Sequence, residues 1–333
     1  MNEDLAHILS KTRSLWEELR GQHIFITGGT GFFGRWLLES FAHANEQLDL
    51  DAQAVVLSRD PESFKASAPH LALSSAIKFH LGDIKDFVFP TGQFSHIIHA
   101  AATFGDANDS EVFESIVQGT KRTLEFAGAC GAKKFLLVSS GAVYGKQPSD
   151  ISHIFEDFEI APSSVYGEGK KIAESLCLEY TEKRHTEIKI ARCFAFVGPF
   201  LPLDKHFAIG NFIRDGLSGG PIQVRGDGTA IRSYLYAADL AIWLWTILFE
   251  GRPRRIYNVG SENEIMIGEL AQLVAKSFNR QVEIIIAKPK TANTEIDRFV
   301  PSTKRAREEL QLTQTVSLKN AIQRTIDFYQ KHQ

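Results

Sequence analysis

Cysteine is scarce in this chain: three residues in 333, Cys130, Cys177 and Cys193. The count is odd and no CxxC spacing occurs, which speaks against a disulfide framework and a zinc site, so no metal is expected. All three read as small buried apolar residues. A basic excess is also missing. The formal net charge is -3, with Lys and Arg spread along the chain, which excludes the electrostatic footprint of a nucleic-acid binder. No apolar run reaches the roughly 18 residues of a membrane-spanning helix. The N-terminus lacks the basic start and apolar stretch of a signal peptide. Neither a nucleic-acid nor a membrane partner is expected, and the cytoplasm is the default location.

What is plentiful is apolar mass. Hydrophobic residues make up 44% of the chain, with 24 Phe, against 23% charged residues. That is enough for a large core, in one big domain or two lobes. Residues 4–20 carry Leu5, Ile8, Leu9, Leu15, Trp16 and Leu19 at helical spacing, which predicts one amphipathic helix. Short apolar strands and helices then alternate. Strands are expected at 23–27, 54–57, 77–80, 96–99, 135–139 and 187–191, with helices at 31–44, 110–130 and 165–183. Such alternation means a parallel sheet covered on both faces. After about residue 198, Gly and Pro punctuate the chain and a smaller lobe is expected. The expected division is an N-terminal helix at 1–20, a first domain at 21–198 and a second lobe over 199–333. Segments around 236–260 return to the first domain.

The strongest local signal is Thr27-Gly28-Gly29-Thr30-Gly31-Phe32-Phe33-Gly34, directly after the first strand and opening a helix. Gly28 can adopt a backbone conformation closed to other residues. Gly31 lets the chain approach a pyrophosphate, and Gly34 lets the helix pack closely. The helix N-terminus offers N–H groups and a partial positive charge to phosphate, so a dinucleotide is the expected cofactor. Thr30, Phe32 and Phe33 belong to the same cradle. At the end of the second strand, where an acid usually holds the ribose of NAD, stand Ser58 and Arg59. A guanidinium there suits a 2′-phosphate, which favours NADP over NAD. The alternative is a solvated Arg59 with Asp60 on the ribose. Ala100, Ala101 and Ala102 close the fourth strand with small residues against which a cofactor can lie. His99 reads as a packed histidine rather than a catalyst.

Ser140 ends the fifth strand, and Tyr166 and Lys170 follow at helical i,i+4 spacing, so they share a face. A free tyrosine has a pKa of about 10, and an adjacent ammonium is expected to make the phenol more acidic. The glycines at 167 and 169 weaken that helix. They suggest close approach by cofactor or substrate, or a later helix start.

Together these motifs resemble the NAD-dependent epimerase/dehydratase branch of the extended short-chain dehydrogenases. The resemblance implies a doubly wound α/β Rossmann domain with a smaller C-terminal lobe for a nucleotide-diphosphate sugar. It implies Ser140, Tyr166 and Lys170 as catalytic residues, Asp83 and Ile84 in the turn that contacts adenine (Asp83 reads equally as a helix cap), and a homodimer. Arg232, in Ile231-Arg232-Ser233-Tyr234, falls on the stretch that holds the substrate diphosphate. Ala195 stands where the family has a diphosphate-contacting Asn, and Arg298 lies where some relatives touch the nucleotide. Ile116 replaces another usual Asn. The acids that follow the catalytic Thr in dehydratases are here Gly141 and Ala142, and decarboxylases also want a Glu there. The reaction expected is therefore hydride transfer at a sugar carbon with Tyr166 as acid and base, by an epimerase or a ketoreductase. A 4,6-dehydratase-like enzyme and a non-catalytic dinucleotide-binding regulator are the alternatives.

Overall fold

The structure is a computed structural model that describes residues 1–102, 108–183, 185–205, 207–289 and 296–332. The first strands are β1 (His23–Thr27), β2 (Gln53–Ser58), β3 (Ile77–Leu81), β4 (His96–His99), β5 (Lys134–Ser140) and β6 (Glu187–Cys193). They alternate with α1 (Asn2–Thr12), α2 (Phe32–Gln47), α3 (Pro61–Ser67), α4 (Pro69–Ala72), α5 (Asp109–Cys130) and α6 (Val165–Lys183). The second part holds β7 (Phe196–Val197), α7 (Ala208–Leu217), β8 (Ile222–Val224), β9 (Ile231–Ser233), β10 (Leu235–Tyr236) and α8 (Ala237–Glu250). It continues through β11 (Ile256–Val259), β12 (Glu264–Met266), α9 (Ile267–Lys276), β13 (Ile284–Ile286), β14 (Arg298–Phe299), α10 (Lys304–Leu310) and α11 (Leu318–Lys331).

Seven strands form one parallel sheet in the order β11-β6-β5-β4-β1-β2-β3. The order reverses at β1 and β4, where a doubly wound sheet opens a crevice at its carboxyl edge. Successive strand residues feed opposite faces. Ile24, Ile26, Ile98, Leu136 and Val138 pack with Trp36, Leu37 and α8 on one side. Phe25, Ile97, Phe135, Leu137, Ile188 and Ile190 pack with Phe126, Ala127, Ala173 and Cys177 of α5 and α6 on the other. Much of the phenylalanine goes into this second layer, where Phe25 meets Phe87, Phe94 and Phe126 at 4.7–5.8 Å. Helix α8 is buried from Ala237 to Phe249 and apolar there except for Asp239 and Thr246, as suits a helix enclosed by protein. Helix α8 packs against the sheet, and β11, which follows it, pairs with β6 at the sheet's edge. Among the described residues no helix is long and apolar enough to cross a membrane.

The N-terminal segment departs from the single helix expected. Helix α1 stops at Thr12, and residues 13–19 wind as a 3-10 helix. The Thr12 hydroxyl donates back to the Ile8 carbonyl (2.7 Å) and accepts the Trp16 indole N–H (2.8 Å). Three residues per turn then brings Trp16 and Leu19 onto one line, and both are fully buried. Trp16 lies 4.6 Å from the Trp245 ring of α8.

Glu18 clamps this segment to the sheet, accepting from His96 Nε2 (3.0 Å) and Lys134 Nζ (2.7 Å). Burial works to raise the Glu18 carboxyl, but the His96 and Lys134 hydrogen bonds outweigh it and pull it down to about 2. Burial pushes His96 below its ordinary value, so it donates as a neutral ring at neutral pH. A carboxyl depressed in the folded state stabilises above its unfolded pKa, and the contribution is lost as pH falls through the folded one. Glu18 is partly exposed, so the contribution is about 1 kcal/mol after solvent screening. Melting scans should show wild type losing this increment between about pH 4.5 and pH 2. Glu18→Gln should start lower and lack that part of the slope. Parallel curves for the two proteins would remove Glu18 from the clamp.

Candidate active site

The glycine turn links β1 to α2. Gly28 sits at φ +71°, and a Cβ there would lie 2.5 Å from the Ala100 carbonyl carbon at the end of β4. Gly34 presses α2 onto the turn, with its absent Cβ 2.3 Å from the Gly28 oxygen. Gly31 is the N-cap of α2 and supplies no side-chain cap. The first-turn N–H groups, which no helix can satisfy internally, therefore remain available to an anion. Phe33 packs edge-on against Phe196 at 4.9 Å, and Phe32 lies 5.6 Å from Phe33.

Beside the turn, Thr30, Ser58, Arg59, Asp60, Ser63, Phe64 and Ser67 line a cavity of about 270 Å³. Asp60 caps α3 by accepting from the Ser63 N–H (3.0 Å), so its carboxylate already has a structural partner. Asp83 likewise holds a turn, accepting from the Lys85 N–H (3.0 Å). Ile84 fits against Gly119. The Ala101 N–H donates to Thr27 Oγ1 (3.3 Å). His99 is buried between Thr27 Oγ1 (2.8 Å) and Thr120 Oγ1 (3.1 Å). Burial, then Lys170, pushes His99 down to about 3, so it stays neutral. The uncapped helix end, the glycine turn and this polar cavity together fit the phosphates and ribose of a dinucleotide.

Three consecutive residues at the end of β5 meet α6. The Lys170 ammonium donates to the Val138 carbonyl (2.8 Å). Ser139 Oγ donates to Glu174 Oε1 (2.5 Å). Ser140 hydrogen-bonds Tyr166 and accepts the Ala142 N–H (3.1 Å). The expected acidification of the phenol by lysine is not what this arrangement gives. Burial pushes Tyr166 above its ordinary value, and the Ser140 hydrogen bond is what pulls it back. Lys170 Nζ stands 5.9 Å from the Tyr166 ring centre and is itself lowered by burial to about 8. Desolvation beats the ammonium because both groups sit in the same low-dielectric layer.

The glycines of α6 also have a different cause from the one expected. Protein fills the space beside them: a Cβ on Gly167 would lie 2.6 Å from the Ala142 oxygen, and one on Gly169 3.2 Å from Ile116. The helix starts at Val165 all the same. Gly141 is pressed under Phe194, with the ring 2.9 Å from its absent Cβ. Phe194 packs in turn on the tilted ring of Phe299 (4.8 Å between ring centres). An acidic side chain at residue 141 would have to displace that ring.

Farther out, the structure separates the two arginines. Arg232 on β9 is bound to Asp297 Oδ2 (2.5 Å) and the Asp297 carbonyl (3.0 Å). β14 pairs with β9 in the register Phe299↔Arg232 and Arg298↔Ile231. Arg298 therefore points to the opposite face, where it pairs with Glu264. Ala195 is half-buried and its carbonyl accepts the Leu235 N–H (3.0 Å). Sequence reasoning passed over Glu174 of α6 and Arg192 of β6, both buried. The available signal was charge at positions whose periodicity turns them inward: Glu174 two turns beyond Tyr166, and Arg192 within an apolar strand.

A family model described as the NAD dependent epimerase/dehydratase family matches residues 24–260. The chain is 30% identical to UDP-glucuronic acid decarboxylase 5 of Arabidopsis thaliana over 78% of its own length and 76% of the relative's. The structure of Pal from Bacillus thuringiensis is similar with a TM-score of 0.81 at 26% identity, covering 93% of this chain and 100% of that one. UDP-glucuronic acid 4-epimerase from Bacillus cereus, solved in complex with UDP-glucuronic acid and NAD, shares the fold with a TM-score of 0.79 at 23% identity, covering 93% and 100%. With the glycine turn, the seven-stranded parallel sheet and a match spanning most of its length, this chain belongs to the NAD-dependent epimerase/dehydratase family.

Proposed function

We propose that the chain is an NAD(P)-dependent epimerase or ketoreductase acting on a nucleotide-diphosphate sugar. One observation carries the reading. Ser140, Tyr166 and Lys170 converge at the carboxyl end of β5, at the same edge of the parallel sheet as the glycine turn that follows β1, while Phe194 covers Gly141 where an eliminating enzyme would keep its acid. The cofactor, when bound, accepts or supplies a hydride. Tyr166, kept protonated by its burial, gives its proton to a sugar oxygen as hydride reaches the carbon, and in the reverse direction the phenolate so formed takes that proton back. Ser140 holds the same oxygen by a hydrogen bond. Lys170 is assigned to the nicotinamide ribose, since an ammonium has three donors and the Val138 carbonyl takes one. Gly28, Gly31 and Gly34 with Thr30, Phe32 and Phe33 are assigned to the pyrophosphate, and Ala100, Ala101 and Ala102 to the cofactor's flank. Asp83 and Ile84 are assigned to the adenine side. Arg232, rather than Arg298, is assigned to the substrate diphosphate, exchanging the Asp297 carboxylate for phosphate.

Arg59 and Ser58 on the rim of the 270 Å³ cavity support NADP over NAD. The expected result is that Arg59→Ala weakens NADP at least about tenfold and NAD less than threefold, measured by fluorescence titration. Equal weakening would mean Arg59 does not read a 2′-phosphate.

A second reading, decarboxylation of a nucleotide uronic acid, is favoured by the relatives' names. Assays of purified protein separate the outcomes. An epimerase interconverts sugars without net absorbance change at 340 nm. A ketoreductase consumes NADPH stoichiometrically with a keto-sugar. Release of CO₂ from UDP-glucuronic acid would install the decarboxylase instead. Tight cofactor binding without turnover of any nucleotide sugar would leave a regulator.

A further inference from the structure

Behind the reacting groups lies a buried ion pair that the scheme above does not use. Tyr166, Lys170 and Glu174 occupy positions i, i+4 and i+8 of α6 and share the face turned to the sheet. Arg192 of β6 stands opposite Ser139 in the strand register. Its Nε and Nη2 donate to the Glu174 carboxylate at 3.0 and 2.7 Å. Its Nη1 donates to the Tyr144 hydroxyl (2.8 Å) and the Glu156 carbonyl (3.1 Å). The Tyr144 hydroxyl passes the chain on to Asn258 Oδ1 of β11 (2.8 Å). Arg192 and Glu174 are 1% and 3% exposed.

Val138, Ser139 and Ser140 thus hold Lys170, Glu174 and Tyr166 in turn. Stability alone does not call for this device, since apolar residues of similar volume serve as well as a buried ion pair. A planar fork with fixed donors does specify geometry. We propose that Glu174 and Arg192 are positioning residues for the Tyr166–Lys170 pair, fixing the catalytic helix on the end of β5 and placing a carboxylate one turn from the Lys170 ammonium. The proposal rests on the Tyr166–Lys170 reading above.

The electrostatics agree with the geometry. The titratable groups around Lys170 are Tyr166, Glu174 and Cys177 on its own helix, Cys193 on β6 and His99 on β4. Burial keeps Tyr166 and both thiols protonated, and His99 is neutral. Among these groups Glu174 supplies the negative charge, and it favours the ammonium against desolvation. Removing that charge also leaves the Arg192 cation uncompensated nearby, which disfavours a second cation.

The test is Glu174→Gln in the cofactor-loaded enzyme and in the protein as purified. Lysine ε-carbon labelling, assigned with Lys170→Met, reads the Lys170 titration without turnover. Its midpoint is expected to move down by about one pH unit or more, with the alkaline limb of kcat moving alongside. At pH 8, kcat falls at least about tenfold while KM for the nucleotide sugar stays within threefold. Ser139→Ala cuts one bond to Glu174 without touching the buried charges, and it keeps the idea testable if Glu174→Gln does not fold. Its kcat falls at least about threefold with KM unchanged. A Glu174→Gln protein with the wild-type Lys170 titration overturns the proposal, as does a Ser139→Ala enzyme with the wild-type kcat. Failure of the hydride-transfer reading would leave the titration result standing, so the two are separable.

Discussion

Tyr166→Phe lowers turnover by at least about a hundredfold while cofactor affinity changes less than threefold, the span expected when a proton-transferring group is removed and packing is kept. The ring stays against its neighbours and only the hydroxyl goes, leaving Ser140 without its bond to Tyr166. Burial makes the resting phenol a proton donor rather than a phenolate. The reductive direction should therefore show no alkaline loss from Tyr166 itself near neutral pH. The loss should appear in kcat, measured with saturating cofactor, and not in cofactor titrations. A Phe variant within a fewfold of wild type would take the proton-transfer role away from residue 166.

Gly28→Ala is the second large effect. The residue sits at φ +71°, and the new methyl would meet three backbone atoms, the Ala100 carbon and oxygen at 2.5 Å and the Ala101 nitrogen at 2.6 Å. Left-handed strain alone costs about 1–3 kcal/mol. Backbone of β4 must also move, so the total is about 3 kcal/mol or more. Because that movement opens the turn, cofactor affinity falls at least about a hundredfold. Gly131→Ala is the control. It ends α5 at φ +72° with nothing within 4 Å of the new methyl. It should cost about 1 kcal/mol in stability through strain alone and leave cofactor binding unchanged. Calorimetry and fluorescence titration read both. If the two variants behave alike, the contact between the turn and β4 is not what holds the cofactor site.

Much of the fold was legible because its signals are local. Strands β1, β4, β5 and β6 are short apolar runs, each followed by a helix or leading out of one, and the chain places them side by side as that alternation requires. The two-residue strands β7, β10 and β14 carry too little pattern to be found, since pairing partners rather than composition define them. The break at Thr12 escaped notice because helical spacing continues through Trp16 and Leu19, and only their docking on α8 tightens the turn.

The site divides in the same way. Ser140, Tyr166 and Lys170 could be read from spacing, and the chain brings them together. The partner that favours the phenolate could not. Spacing pointed to Lys170, while burial raises the phenol and Ser140 pulls it back. Likewise the sequence puts Arg232 on the substrate diphosphate and Arg298 on the nucleotide of the same substrate, yet the pairing of β14 with β9 turns them to opposite faces.

The sequence by itself determined the doubly wound sheet, the glycine turn and the Tyr-Lys spacing, because periodicity and backbone freedom are properties of neighbouring residues. Tertiary structure alone decided the charge states of Tyr166 and Lys170, the space left at Gly141 and the pairing of Glu174 with Arg192. Desolvation and steric exclusion depend on every group within a few ångströms, and most of those groups come from distant parts of the chain.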